Sequence, residues 1–102
     1  MLWAIHCLDA PGTAALRAEQ RPAHSARLRA AAVRPVLYGP LVAGDGITAV
    51  GSLIVVEAGT REQVEEFATG DPFAVSGVWE RIEIQAFAPS ERSPVRIGAG
   101  TP

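Results

Sequence analysis

Cysteine is almost missing from this chain: Cys7 stands alone among 102 residues. A single thiol forms no internal disulfide, and its place in a largely apolar stretch predicts that it packs in the core. A reducing, cytoplasmic home is therefore expected. Long apolar runs are missing too, so nothing in the chain is suited to span a bilayer. The opening MLWAIHCLDAPG lacks the basic stretch of a secretory signal and reaches Asp9 too early for one. Nor is there a basic surplus. Nine Arg and Lys against eleven Asp and Glu leave a formal charge of −2, which removes the electrostatic case for nucleic acid or an anionic membrane. No internal repeat stands out. His6 and Cys7 are strand neighbours that point to opposite faces, a poor metal pair. The GDG at residues 44–46 reads as a turn and lacks the context of a phosphate-binding loop. Neither a metal nor an organic cofactor is expected.

What remains is an ordinary globular composition, 48% hydrophobic and 20% charged, at a length that fits one domain. Residues 1–87 read as that domain. The Pro-, Gly- and Ser-rich residues 88–102 read as an extended tail. Leu2 to Leu8 is a short apolar strand closed by the turn DAPG. Thr13 to Val33 is rich in Ala, Leu, Arg and Gln and predicts a helix, ended by Pro35, with Arg34 leaning to extended backbone. Pro22 either kinks that helix or opens its main part at the first turn. VLYGPLVA predicts a second strand. AVGSLIVVEA predicts a third, apolar on both faces and so central in its sheet.

Thr60 and Gln63 form a capping box, followed by an apolar helical stripe of Val64, Phe67 and Ala68. Gly70 suits the helix C-terminus, where a positive φ is common. Val78 to Phe87 alternates as a last strand. Val78, Ile82, Ile84 and Ala86 share one face; Trp79, Arg81, Glu83, Gln85 and Phe87 share the other. The order β-α-β-β-α-β is the ferredoxin-like α+β plan, an antiparallel sheet with both helices on one face. Its other face, carrying Trp79 and Phe87, is too apolar to leave in water. A second copy covering it would complete a homodimer.

Arg17, Arg21, His24 and Leu28 are spaced to share one face of a continuous helix. That face is either a solvated basic stripe or one wall of a site. Asp71 lies where a helix should end and its macrodipole disfavours a carboxylate. One reading makes it the N-cap of a new turn, since Asp-Pro is a strong helix start. The other holds it in place for chemistry.

The stretch DAPGTAALRAEQRPAH, with Asp9, Pro11, Gly12, Arg17, Arg21 and His24, resembles the YciI-like (YCII-related) family. YGPLVAGDG, VGSLIVVEA and GDPFAVSGVWERIEI continue the likeness in the same order over roughly residues 1–87. The resemblance implies a dimeric α+β-barrel assembly and a paired histidine and aspartate at His24 and Asp71. It also implies small cyclic or aromatic substrates, since one relative removes chloride from a hydroxylated quinol. Two stretches depart from the family pattern. Ser25, Ala26 and Arg27 replace a bulkier Leu and Tyr, and Gln85, Ala86 and Phe87 replace a basic residue and a tryptophan, changes expected to widen the pocket or lower its polarity.

A carboxylate beside one imidazole nitrogen fixes the tautomer and stabilises the imidazolium, leaving the other nitrogen to exchange protons. His24 and Asp71 are thus the candidate catalytic pair, for a lyase or isomerase. Arg17, Arg21, Phe73 and Trp79 are candidate ligand-binding residues; Arg17 or Arg21 offers charge for an anionic oxygen, with a structural pairing to Asp9 or Glu19 as the alternative for either. Ser25 follows His24 on the helix and is expected to point elsewhere, against a Ser–His nucleophile. The second reading of the same residues is a non-catalytic ligand-binding or accessory dimer.

Overall fold

A computed structural model of the chain describes residues 1–29 and 32–97. Its elements follow in the order β1 (Leu2–Asp9), α1 (Ala14–Arg29), β2 (Arg34–Val42), β3 (Ala49–Glu57), α2 (Arg61–Thr69), α3 (Pro72–Val75) and β4 (Trp79–Phe87). The strands form one sheet in the order β2-β3-β1-β4, with every neighbouring pair antiparallel. This is the expected ferredoxin-like α+β plan, with α3 as an added single turn. The strand that is apolar on both faces, β3, is central, while β2, with Pro35 and Pro40, takes an edge where prolines are tolerated.

Alternation along each strand divides the sheet into two faces. Trp3, Ile5 and Cys7 of β1 lie beside Val56, Ile54 and Ser52 of β3 on the helix-covered face. Leu28, Val64, Phe67 and Phe73 close the core from the helix layer. His6 is exposed on the other face, between Leu53 and Glu83. Leu8, Leu37 and Phe87 also reach solvent there, the last two 58% and 44% exposed.

α1 is continuous through Pro22. Pro22 and Ala18, whose carbonyl loses its amide partner, both lie on the exposed side of the helix, where water replaces the bond. Of the segment read as helical up to Val33, Ala30 and Ala31 lie outside the described residues, and Val33 is a buried residue of the link to β2. Residues 88–97 of the expected tail carry no helix or strand; residues 98–102 lie outside the described residues.

The capping box at Thr60 and Gln63 is present in full. Two expectations are corrected. Gly70 ends α2 with φ −87°, so it supplies no left-handed turn. It is small because Arg27 passes close by: a Cβ there would lie 2.8 Å from Arg27 Nη2 and 3.0 Å from the Glu66 carbonyl oxygen. Trp79 is not on the open face. The β1–β4 register shifts between Leu8 and Asp9, which pair with Arg81 and Trp79, so Glu80 is the extra residue of a bulge. The bulge turns Trp79 onto the helix side, where it is 6% exposed, next to fully buried Val78.

Candidate functional site

The helix face predicted from spacing becomes the wall of a cleft of about 580 Å³ between α1 and the β2–β3 end of the sheet. Arg17, Arg21, His24 and Leu28 all border it, facing Tyr38, Pro40 and the hairpin residues Ile47 and Thr48, with Ser52, Ile54 and Phe73 also in the lining. The hairpin turn is held by Asp45, whose carboxylate accepts from the Ile47 and Thr48 amides and from the Thr48 hydroxyl. These bonds bring the Asp45 carboxyl down to about 2, the Thr48 hydroxyl contributing most.

His24 and Asp71 meet across the layer between α1 and α3. His24 Nδ1 lies 2.9 Å from Asp71 Oδ1 and 2.8 Å from Oδ2. The carboxylate is 1% exposed and the imidazole 12%. Asp71 is at the same time the N-cap of α3, its Oδ1 accepting from the Phe73 amide at 2.8 Å. Asp71 is thus an N-cap and the partner of His24 at once. The cap fixes the position of the carboxylate, and the carboxylate fixes the imidazole. Arg27 adds a third partner, with Nη1 3.8 Å from Oδ2. Its guanidinium also donates to the Phe67 and Glu66 carbonyls at the end of α2, through the space left by Gly70.

Phe73 stacks on His24 with ring centroids 4.2 Å apart and planes 16° from parallel. The Arg17 guanidinium lies 4.6 Å from the same ring. Trp79 stands edge-on to both rings, 6.0 Å from His24 and 5.7 Å from Phe73. It buttresses the pair from behind and is absent from the cleft lining. Arg17 takes the structural alternative. Nη1 donates to both Asp9 oxygens at 2.8 Å, and Nη2 donates to the Gly51 carbonyl and the Ser52 hydroxyl at 2.9 Å. Arg21 borders the cleft and has no such partner among the described residues. Ser25, expected to point elsewhere, also borders the cleft, but makes no hydrogen bond to His24. The other departures from the family pattern, Ala26, Arg27, Gln85, Ala86 and Phe87, are absent from the lining.

Sequence reasoning missed Ser52, Tyr38 and the brace role of Arg27. Ser52 had a signal: it is a polar residue inside an apolar, central strand, and such a residue is buried only with partners. Cys7, opposite Ser52 in the sheet, is fully buried, and burial together with the Asp71 and Asp9 charges pushes its thiol up to about 12. No group of His, Cys, Asp and Glu able to hold a metal ion occurs among the described residues, and no helix there is long and apolar enough to cross a membrane.

The chain is similar to known proteins in sequence and in fold. Protein YciI of Escherichia coli and its counterpart from Shigella flexneri are each 31% identical over 96 aligned residues, covering 85% of this chain and 96% of the relative. A 5-chloro-2-hydroxyhydroquinone dehydrochlorinase from Burkholderia phenoliruptrix, solved in complex with 2,5-dihydroxybenzoquinone, matches with TM-score 0.76 and 26% identity over 88% of this chain and 96% of that one. The profile of the YCII-related domain runs over residues 1–88, from β1 through β4 and both members of the His24–Asp71 pair. The chain belongs to the YCII-related family.

Proposed function

We propose that this protein is a small enzyme of lyase or isomerase type that moves a proton on a cyclic or aromatic compound. His24 is the general acid/base, and Asp71 orients it. One observation carries the reading: Nδ1 of His24 is held between both oxygens of a buried carboxylate, while its ring borders an open cleft. With Nδ1–H donating to Asp71, Nε2 keeps its lone pair and is the nitrogen left for substrate. It takes a proton from a ring C–H or hydroxyl, and the electron pair enters the ring. The proton then returns elsewhere, or the pair expels a leaving group such as chloride. A positioned base of this kind contributes ~10²–10⁴-fold. The dehydrochlorinase of similar fold supports a hydroxylated ring as the substrate class.

The apolar open face, with Leu37 and Phe87 in solvent, supports a homodimer through that face. Leu37→Glu is expected to convert it to monomer in sedimentation. The buried, unpaired Cys7 supports a cytoplasmic setting.

Asp71 as helix cap favours a second reading, an accessory binder in which the pair only shapes the pocket. Incubation with chlorinated quinols, hydroxyquinols and lactones separates the two. Enzyme converts at least one of them, and His24→Gln, still folded, does not. Recovery of every bound compound unchanged leaves the binder.

A further inference from the structure

The acid–base reading leaves open the charge of the compound, and the cleft lining speaks to it. The chain holds 11 Asp and Glu, yet none of them borders the cleft. Two arginines and a histidine do. The Arg17 charge is answered by Asp9 at 2.8 Å. That of Arg21 has no partner among the described residues, and Arg21 lies one helical turn from His24.

Ser52 supplies an independent observation. It is 3% exposed, and its oxygen accepts from Arg17 Nη2 at 2.9 Å and from Trp79 Nε1 at 3.3 Å. A hydroxyl has two lone pairs and one hydrogen. With both lone pairs turned to N–H donors, the hydrogen points away from them, and no acceptor for it lies among the described residues. Ser52 borders the cleft, so this buried donor, polarised by a guanidinium, is available to a bound oxygen. A donor so polarised favours an ionised acceptor over a neutral one.

We propose that the cleft takes a planar ring compound bearing an ionised oxygen, carboxylate or phenolate, held by the Ser52 hydroxyl and the unpaired charge of Arg21. Phe73, Tyr38, Pro40 and Ile54 give the ring its apolar walls. The proposal rests on the reading of this cleft as the ligand site, but not on His24 acting as a base.

The test is binding without turnover, measured by NMR titration with two matched pairs: benzoate against benzamide, and para-nitrophenolate against nitrobenzene. In wild type at least one anion should bind about tenfold more tightly than its neutral partner. Arg21→Gln, a change at an exposed side chain, should bring that pair close to parity, and Arg21→Lys should keep part of the preference. Ser52→Ala should weaken the anion and leave the neutral ring unchanged; if that variant unfolds, the Arg21 series carries the test. The pair that discriminates identifies the oxyanion as carboxylate or phenolate. Equal binding of anion and neutral ring, preference undiminished in Arg21→Gln, or no binding of either pair overturns the proposal. An anion preference in a protein that converts none of the chlorinated quinols, hydroxyquinols or lactones would retain the proposal and remove the acid–base reading.

Discussion

Replacing Asp71 by asparagine isolates what the carboxylate does to the imidazole. Oδ1 of Asp71 accepts from the Phe73 amide at 2.8 Å, and the asparagine oxygen can keep that bond and with it the cap. The amide nitrogen then takes the place of Oδ2, 2.8 Å from His24 Nδ1. It is a donor, and the oxygen that remains near Nδ1, at 2.9 Å, is already engaged by the Phe73 amide, so Nδ1 is expected to accept and the ring proton to move to Nε2. The substitution therefore inverts the tautomer with little change of shape. It costs one charge-assisted hydrogen bond, ~1.5–3 kcal/mol, less whatever desolvating a carboxylate costs in the wild type. Asp71→Ala leaves both Phe73 N–H and His24 without a partner and removes the cap, so about 3–5 kcal/mol is expected. The order to look for in urea unfolding is wild type, then Asn, then Ala. The ¹⁵N shifts of the His24 ring read the tautomer directly: Nδ1 carries the hydrogen in wild type and Nε2 carries it in Asp71→Asn. Any turnover should fall by ~10²–10⁴-fold in that variant, because Nε2 is no longer a base. A ring that keeps Nδ1–H in Asp71→Asn would refute the reasoning, since the one remaining oxygen would then serve both the Phe73 amide and the ring.

Three further outcomes are expected. Gly51→Ala should be among the most damaging single substitutions, since the added Cβ would fall 2.2 Å from the Cys7 carbonyl oxygen and force β1 and β3 apart; a loss of about 3 kcal/mol or more in urea unfolding is expected, and wild-type stability would contradict it. Cys7 should resist thiol reagents at neutral pH until the protein is unfolded, because its pKa is raised from 9.0 to about 12. The folded state then binds the thiol proton more tightly than the unfolded one, so this contribution to stability is whole below about 9 and is lost as pH climbs towards 12. Asp45 works in the opposite sense: its carboxyl is depressed from 3.8 to about 2, so its stabilisation of the hairpin is whole above 3.8 and is lost as pH falls through 2. Carboxyl NMR of wild type and Thr48→Val should show the titration moving up in the variant, since the Thr48 hydroxyl is the largest cause.

The fold was legible because each of its signals is local. The capping box at Thr60 and Gln63, the double-sided apolar run of β3 and the alternation in β1 each depend on neighbours within a few residues. The cleft wall was legible for the same reason, since the four-, three- and four-residue steps from Arg17 to Leu28 describe one helix face wherever that helix packs. What failed needed information about a partner strand or helix. The alternation of β4 gave Trp79 to the open face because a bulge opposite Leu8 and Asp9 is a property of the pair of strands, and β4 alone carries no mark of it. Gly70 was read through the backbone preference of glycine, when the constraint was the guanidinium of Arg27 arriving from another helix.

Asp71 shows why a helix cap and a carboxylate held against a histidine were hard to separate in sequence: in the structure one residue is both. A carboxylate that must orient an imidazole has to be rigid, and a surface loop would not hold it. The N-cap of α3 provides that rigidity through the Phe73 amide, and the next residues bring the Phe73 ring against the imidazole at 4.2 Å. A four-residue turn thus fixes both the acceptor for Nδ1 and the plane of the ring. Asp-Pro-Phe in this order is a helix start by propensity. It becomes part of a site only because α1 delivers His24 to it, and that delivery requires α1 to continue through Pro22. The proline that left the helix ambiguous in sequence therefore sits between Arg21, at the cleft, and the histidine the site depends on. Its side lies in solvent, where the missing hydrogen bond costs least.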